Sequence, residues 1–339
     1  MLQEYIPFVE EQYEVLKKLH PQLFALFEKP PACMFEEVAS AIPFKLQQNH
    51  QNQANSIVHH LLGRGFFQNT VIIEAGSGTG QLGLTLACKL TKDPEFYRRH
   101  YQAQNEQAAK FFGQDGQNQP GLESGERTAK KNTIPADLAE KQNMFLVDLK
   151  AGLKSKNDRY FCFTDFHAVR VVGNVLRLSP QVVSKLNQRR SGNCNVNLEE
   201  FLKNEPPAQQ EPAGERTSIV AKHLCGDATD IILQYPATEF GIALCCHSKS
   251  LGENYVNKPF IRQFDTRLFK VTSWQHCFGG AELNEVQRRQ KEAGFKARQI
   301  LDVGRLLWLR ERGYEGGLER FCSDESGEQW LLWARKAAE

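Results

Sequence analysis

Read for apolar and polar positions alone, the chain changes character near residue 69. Before it, apolar residues recur at three- and four-residue intervals in short stretches broken at Pro21, Pro30-Pro31 and Pro43. That spacing predicts an N-terminal segment of short amphipathic helices over 1–68, with no strand pattern. From Thr70 onward the period shortens. The runs "TVIIEAG" (70–76), "MFLVDL" (144–149), "YFCFTDF" (160–166), "SIVAKHL" (218–224), "GIALCC" (241–246), "KARQIL" (296–301) and "QWLLWARK" (329–336) read as buried strands. Helical patterns fall between them, at 81–93, 175–189, 282–294 and 304–321. Strands alternating with helices predict one α/β domain over 69–339, a mostly parallel seven-stranded sheet with helices on both faces. Two polar stretches, 102–131 and 203–217, read as surface insertions carrying no chemistry.

Composition narrows the class. A hydrophobic share of 41% over 339 residues supports a sizeable core. No apolar run approaches the roughly 18 residues of a membrane helix. The opening "MLQEYIPFVEEQYEVLKK" lacks a basic start and a cleavable apolar region, so a soluble intracellular protein of cytoplasm or nucleus is expected. Nine cysteines, an odd number with no C-x-x-C pair, predict reduced thiols. The net charge of +2 gives no overall attraction for nucleic acid, but its distribution is uneven. Residues 1–69 carry seven acids against five Lys/Arg, whereas 255–312 carry twelve Lys/Arg against six acids. That basic stretch is either a phosphate-binding surface or a set of solvated helix faces.

The stretch "EAGSGTGQLG" after the first strand run has two overlapping readings. Gly78-x-Gly80-x-x-Gly83 fits a dinucleotide fingerprint; Glu74-x-Gly76-x-Gly78-x-Gly80 fits the loop of S-adenosylmethionine-dependent methyltransferases. A nicotinamide enzyme needs an acid closing a second strand about 20 residues on, and "KDPEFYRRHYQ" is no strand. The next strand runs close instead on Asp148 and near Asp165. An acid within the first strand and one ending each of the next two is the methyltransferase layout. It predicts a Rossmann-like methyltransferase with Glu74, Gly76, Gly78, Gly80, Asp148 and Asp165 as cofactor-binding residues and S-adenosylmethionine as cofactor.

Ligands of an open α/β sheet sit outside the carboxyl ends of the strands. The fourth and fifth strand runs end in "VAKHLCG" and "ALCCHSKS", which would bring Lys222, His223, Cys225, Cys246 and His247 beside the cofactor. Zinc is one reading of this set, but no pair has the spacing of a structural site and no metal is expected. A cysteine nucleophile for pyrimidine methylation is a second.

Four segments, "AKHLCGDATD", "IALCCH", "YVNKPF" and "SWQHC", followed by "LDVGRLLWLRERGYEGGLERF", resemble in this order the eukaryotic tRNA 2′-O-methyltransferases that modify the fourth nucleotide of the acceptor stem. The resemblance covers roughly residues 45–336 apart from the two insertions. It implies methyl transfer from S-adenosylmethionine to a ribose 2′-hydroxyl, with His223 as base and Lys222, Cys246 and His247 beside it. It also implies the tRNA acceptor stem as partner, through the basic region 255–312. Two departures stand out. A double histidine after the cysteine pair is His247-Ser248 here, and no cysteine precedes Cys33 where that family carries zinc-finger modules. The same chemistry on an RNA base or a protein is the rival; an RNA-binding protein without catalysis would show a broken glycine loop, and this one is intact.

Overall fold

The protein is described by a computed structural model over residues 3–28, 48–92, 142–148, 161, 164–189, 194–204, 216–245, 252–264, 266–275, 282–322 and 329–337. Helices α1 (Ile6–Leu19), α2 (Pro21–Glu28) and α3 (Gln48–Leu62) precede β1 (Val71–Ala75) and α4 (Gln81–Leu90). Then come β2 (Gln142–Asp148), β3 (Phe166–Val172), α5 (Pro180–Arg189), β4 (Cys194–Asn197), α6 (Leu198–Lys203), β5 (Thr217–Lys222), α7 (Asp227–Leu233) and β6 (Glu239–Leu244). The short helices α8 (Lys258–Ile261) and α9 (Arg267–Val271) lead to the long α10 (Glu285–Arg310), and β7 (Tyr314–Arg320) and β8 (Trp330–Lys336) close the fold.

The strands form one sheet in the order β4-β3-β2-β1-β5-β6-β8-β7. Neighbours from β4 to β6 are parallel, and β8 lies antiparallel between β6 and β7. The order reverses at β1, which pairs with β2 on one side and β5 on the other, so β1 is the topological switch where a ligand crevice opens. Side chains alternate across the sheet as the strand period requires. Ile73, Phe145 and Ile219 enter one core with α1, α2, α5, α7 and α10, while Ile72, Met144 and Val220 enter a second with α3 and α4. The N-terminal helices therefore bury their apolar faces in both cores of the sheet.

This is the expected α/β architecture with eight strands instead of seven. β4, "CNVN", is new, four residues without an apolar run to announce it, and β7 takes the place of the run expected at 296–301. Three other assignments differ. "KARQIL" is the interior of α10, a 26-residue helix whose start is fixed by a capping box between Asn284 and Gln287. Its Ala293, Ala297, Ile300, Leu301 and Gly304 are buried at helical spacing, and a six-residue apolar run is ambiguous between the two periods. The helical pattern over 304–321 splits at Arg310, and Tyr314–Arg320 is strand β7. "YFCFTDF" stops where β3 begins, at Phe166. Among the described residues no helix is long and apolar enough to cross a membrane.

Candidate functional site

At the switch, the chain leaves β1 and turns through Gly76, Ser77, Gly78, Thr79 and Gly80 before α4. The three glycines have φ of 64°, 49° and 72°, a conformation costly to any residue with a Cβ. At Gly76 space forbids a side chain as well, since an added Cβ would lie 2.5 Å from Leu224 Cδ2. At Gly78 the same construction meets nothing within 4 Å, so this part of the loop faces open space. The loop is held from below. Asp148 Oδ2, at the carboxyl end of β2, accepts the Gly78 N–H at 3.1 Å. The Ser77 N–H donates to Val147 O at 3.1 Å, and Arg170 Nη1 donates to Gly78 O at 3.0 Å. Glu74 is 3% exposed, and its Oε2 accepts the Gly83 N–H at 2.9 Å, capping the first turn of α4 from beneath. A Cβ at Gly83 would sit 2.5 Å from that same oxygen, which is why strand and helix can approach this closely.

Glu74, the three glycines and Asp148 thus come together as expected, with Glu74 supporting the loop from under it. Asp165 does not join them. It lies just before β3, at the amino end of the sheet, where its carbonyl accepts Gln142 N–H and its carboxylate accepts Lys92 N–H at 2.9 Å. A seven-residue strand rises about 20 Å, so Asp165 stands a full strand length from the glycine loop. The expectation failed because the aromatic run "YFCF" pulled the strand six residues early.

The end of β5 meets the loop from the other side. Lys222 closes the strand, half-buried, and His223 follows, exposed and at φ 63°. A non-glycine residue in the left-handed region is uncommon and calls for a reason. Here the turn sends Leu224 back onto Gly76, so the β5 end and the glycine loop are in contact. Cys225 follows, its Sγ 3.3 Å from Sγ of Cys245 at the end of β6. Cys246 and His247 lie outside the described residues.

Beyond this rim, the segments that carried the sequence resemblance converge on one buried network. Asp230, fully buried in α7, receives Arg305 Nε at 3.1 Å and Nη2 at 2.5 Å, together with Val256 N–H at 3.3 Å. Arg305 Nη1 also reaches Asp302 at 2.9 Å. Burial alone would lower the Arg305 pKa, but the Asp230 and Asp302 carboxylates override it and hold the guanidinium above its ordinary value. Tyr255 Oη donates to Leu301 O and Asn257 Nδ2 to Gly304 O. Arg298 Nη2 donates to Leu244 O, at the end of β6, and Nη1 to Gln275. None of these residues stood out in the sequence as chemistry, because Arg298, Asp302 and Arg305 have the spacing of any charged helix face and the link to Asp230 spans 75 positions.

The network also subtracts from the basic stretch. Arg298 and Arg305 are 1% and 0% exposed, and Arg288, Arg289 and Lys296 are paired with Glu285, Glu10 and Glu292. The exposed Lys258, Arg262, Arg267 and Lys270 lie on and around α8 and α9. The loop before α8 is tied to the first turn of α7 by Asn254 Nδ2 on Asp227 Oδ2 at 2.9 Å. A cavity lined by Arg64, Arg310, Glu319 and Trp333 lies instead against β7, four strands and about 19 Å from β1.

A three-glycine loop at the switch, open above Gly78 and flanked by the Asp148 carboxylate, suits S-adenosylmethionine, the protein's cofactor. Comparison with known proteins agrees. A curated relative from Schizosaccharomyces pombe, "tRNA:m(4)X modification enzyme TRM13", is 24% identical, covering 39% of this chain and 43% of its own. Its counterpart from Eremothecium gossypii is 28% identical over 35% of this chain and 34% of its own. The matches thus span less than half of those relatives' length. Among solved structures, magnesium protoporphyrin IX methyltransferase from Synechocystis with bound SAH aligns over 99% of this chain at 13% identity and a TM-score of 0.28, too slight a likeness to argue from. The family described as Methyltransferase TRM13 matches residues 52–335, and the chain belongs to it.

Proposed function

We propose that the chain transfers a methyl group from S-adenosylmethionine to a ribose 2′-hydroxyl of a tRNA, at the fourth nucleotide of the acceptor stem. The observation that carries this reading is the seam between the two strand ends: His223, exposed in a left-handed turn, stands one residue before the Leu224 that packs on Gly76 of the cofactor loop. The relatives, named as enzymes of tRNA modification, support the choice of substrate.

When bound, the cofactor supplies an electrophilic methyl group, and the protein's own residues do the rest. The glycine loop and Asp148 fix the donor's place, and alignment of donor and acceptor supplies most of the acceleration. A ribose hydroxyl is a weak nucleophile at neutral pH, so a group must take its proton as the bond forms. His223 does so from the rim. Lys222, at the last position of β5, offsets the developing negative charge on the oxygen or holds a neighbouring phosphate. Cys246 and His247 follow β6 in the sequence and belong to the same rim in this reading. No cysteine needs to attack, because an oxygen acceptor requires no covalent activation.

A-form RNA offers its 2′-hydroxyls along a wide, shallow minor groove, so a stem can present one without opening. The exposed Lys258, Arg262, Arg267 and Lys270 follow the loop tied to α7 and are suited to the phosphates on either side. The test is chemical. The protein is incubated with labelled S-adenosylmethionine and total tRNA, and the digest is resolved by nucleoside and position. Label in a 2′-O-methylnucleoside at position 4 is the expected result; label in a base overturns the ribose assignment.

A further inference from the structure

Strand β3 holds a residue that a buried parallel strand has no packing reason to keep. Its sequence is "FHAVRVV", and Arg170 sits at its centre, 6% exposed, in register with Leu146 of β2. Burying a guanidinium is costly unless its donors are used. Arg170 turns one nitrogen to the glycine loop: Nη1 donates to Gly78 O at 3.0 Å and lies 3.4 Å from Ser77 Oγ. On the other side of the same residue, the Gly78 N–H is taken by Asp148 at 3.1 Å. The middle glycine of the cofactor loop is therefore gripped at both its amide and its carbonyl by charged side chains from neighbouring strands.

We infer that Arg170 is a positioning residue for S-adenosylmethionine, holding the glycine loop in its left-handed form before the cofactor arrives. The inference rests on the cofactor assignment but not on the RNA acceptor. Three glycines at positive φ form the most freely moving backbone a chain can contain, and ordering them at the moment of binding would be subtracted from affinity. A charge-assisted hydrogen bond from a rigid strand removes that cost in advance. Arg170 reaches the loop from below, through backbone, so it acts without touching the reacting atoms.

The test uses S-adenosylhomocysteine as probe, titrated by calorimetry into the wild-type protein, Arg170→Met and Arg170→Lys, with a melting temperature for each preparation. Loss of the hydrogen bond is expected to weaken binding about 10–100-fold in Arg170→Met. Arg170→Lys, which keeps the charge and one donor, should recover part of that loss. Hydrogen exchange without ligand should show faster exchange at the Gly78 and Gly80 amides in Arg170→Met, with β2 and β5 amides unchanged. If the wild type binds and both variants bind equally well, Arg170 is a core residue only and the inference is overturned. If Arg170→Met does not fold, the affinity of Arg170→Lys decides by the same criterion. A wild type that does not bind the probe overturns the cofactor assignment and this inference with it.

Discussion

The two sides of the site are built on different physics. On the β1–β3 side, the loop that would receive the cofactor is bare backbone, and single polar side chains hold it: Glu74 on Gly83, Asp148 and Arg170 on Gly78. On the β5–β6 side, the rim that would receive the acceptor stands on a closed set of buried charges, Asp230, Asp302, Arg298 and Arg305, with Tyr255 and Asn257 bonded to the backbone of α10. One side trades rigidity for access, because a ligand must lie against its amides. The other spends side chains on holding a loop, a turn and a 26-residue helix in one arrangement. Ligand affinity should therefore answer to the first side and stability to the second, with turnover sensitive at the seam where Leu224 touches Gly76.

His223 sits on that seam, and its replacement should give the largest effect. If it takes the proton, the single-turnover rate of His223→Ala falls roughly 10²–10⁴-fold while S-adenosylhomocysteine affinity and melting temperature hold. Full activity in a folded variant would move the search for the base to Lys222 or His247. Next comes the buried network. Arg305→Met takes the guanidinium from Asp230 and leaves Asp302 with Arg298, and breaking a buried pair in this way costs about 3–5 kcal/mol. Urea unfolding should show that loss, with probe affinity of the folded protein unchanged. A network that yields less than about 1 kcal/mol would be no more than a surface pair in worth and would erase the contrast.

The two sides were also unequally legible in the sequence. The glycine loop is local: its residues are adjacent, and only glycine meets the backbone demand, so spacing alone located Gly76, Gly78 and Gly80. Asp148 was found because β2 is a clear apolar run ending on an acid. Asp165 was misplaced because the strand boundary was, and a boundary shifted by six residues moves a side chain to the opposite end of a sheet. Arg170 was invisible, since a single arginine in an apolar strand gives no sign of what lies above it. The ion network could not be read at all. Asp302 lies within four positions of Arg298 and Arg305 on one helix, but Gln275 and Asp230 lie 23 and 75 positions from their arginines, and only folding brings those together. Their segments were recognisable by resemblance, yet not as a network. The helix–strand exchange at 296–321 has the same root, for a short apolar run satisfies both periods until its partners are known.

Asp148 tests the cofactor side by a smaller margin. Asp148→Ala removes the acceptor of the Gly78 N–H and should weaken S-adenosylhomocysteine binding about 10–100-fold by calorimetry. The residue is half-buried, so the melting temperature should move little. Unchanged affinity would take Asp148 out of the site and leave Arg170 and Glu74 to hold the loop.

The smallest effect belongs to the stability side, at its far edge, and its sign is fixed. Glu319 of β7 lies 3.1 Å from His60 Nδ1 and 2.5 Å from Arg64 Nη2. Burial would raise the pKa of its carboxyl, but the hydrogen bonds and charges of His60 and Arg64 outweigh this and hold it below the ordinary carboxylate value. A carboxyl depressed on folding adds stability that is fully present above its unfolded pKa, about 4.3, and drains away as pH falls through the folded value. The group is 19% exposed and Arg64 30%, so solvent screening limits the contribution to about 1 kcal/mol or less. Wild type should melt slightly above Glu319→Gln at about pH 7, and the two curves should converge as acid is added below about pH 4. A gap that widened towards acid would mean the carboxyl is raised and the ion pairs are not its dominant environment. Probe affinity should be the same in both proteins at every pH where they are folded, because β7 lies four strands from the glycine loop. A change in affinity there would show that the two sides of the site are coupled through the sheet.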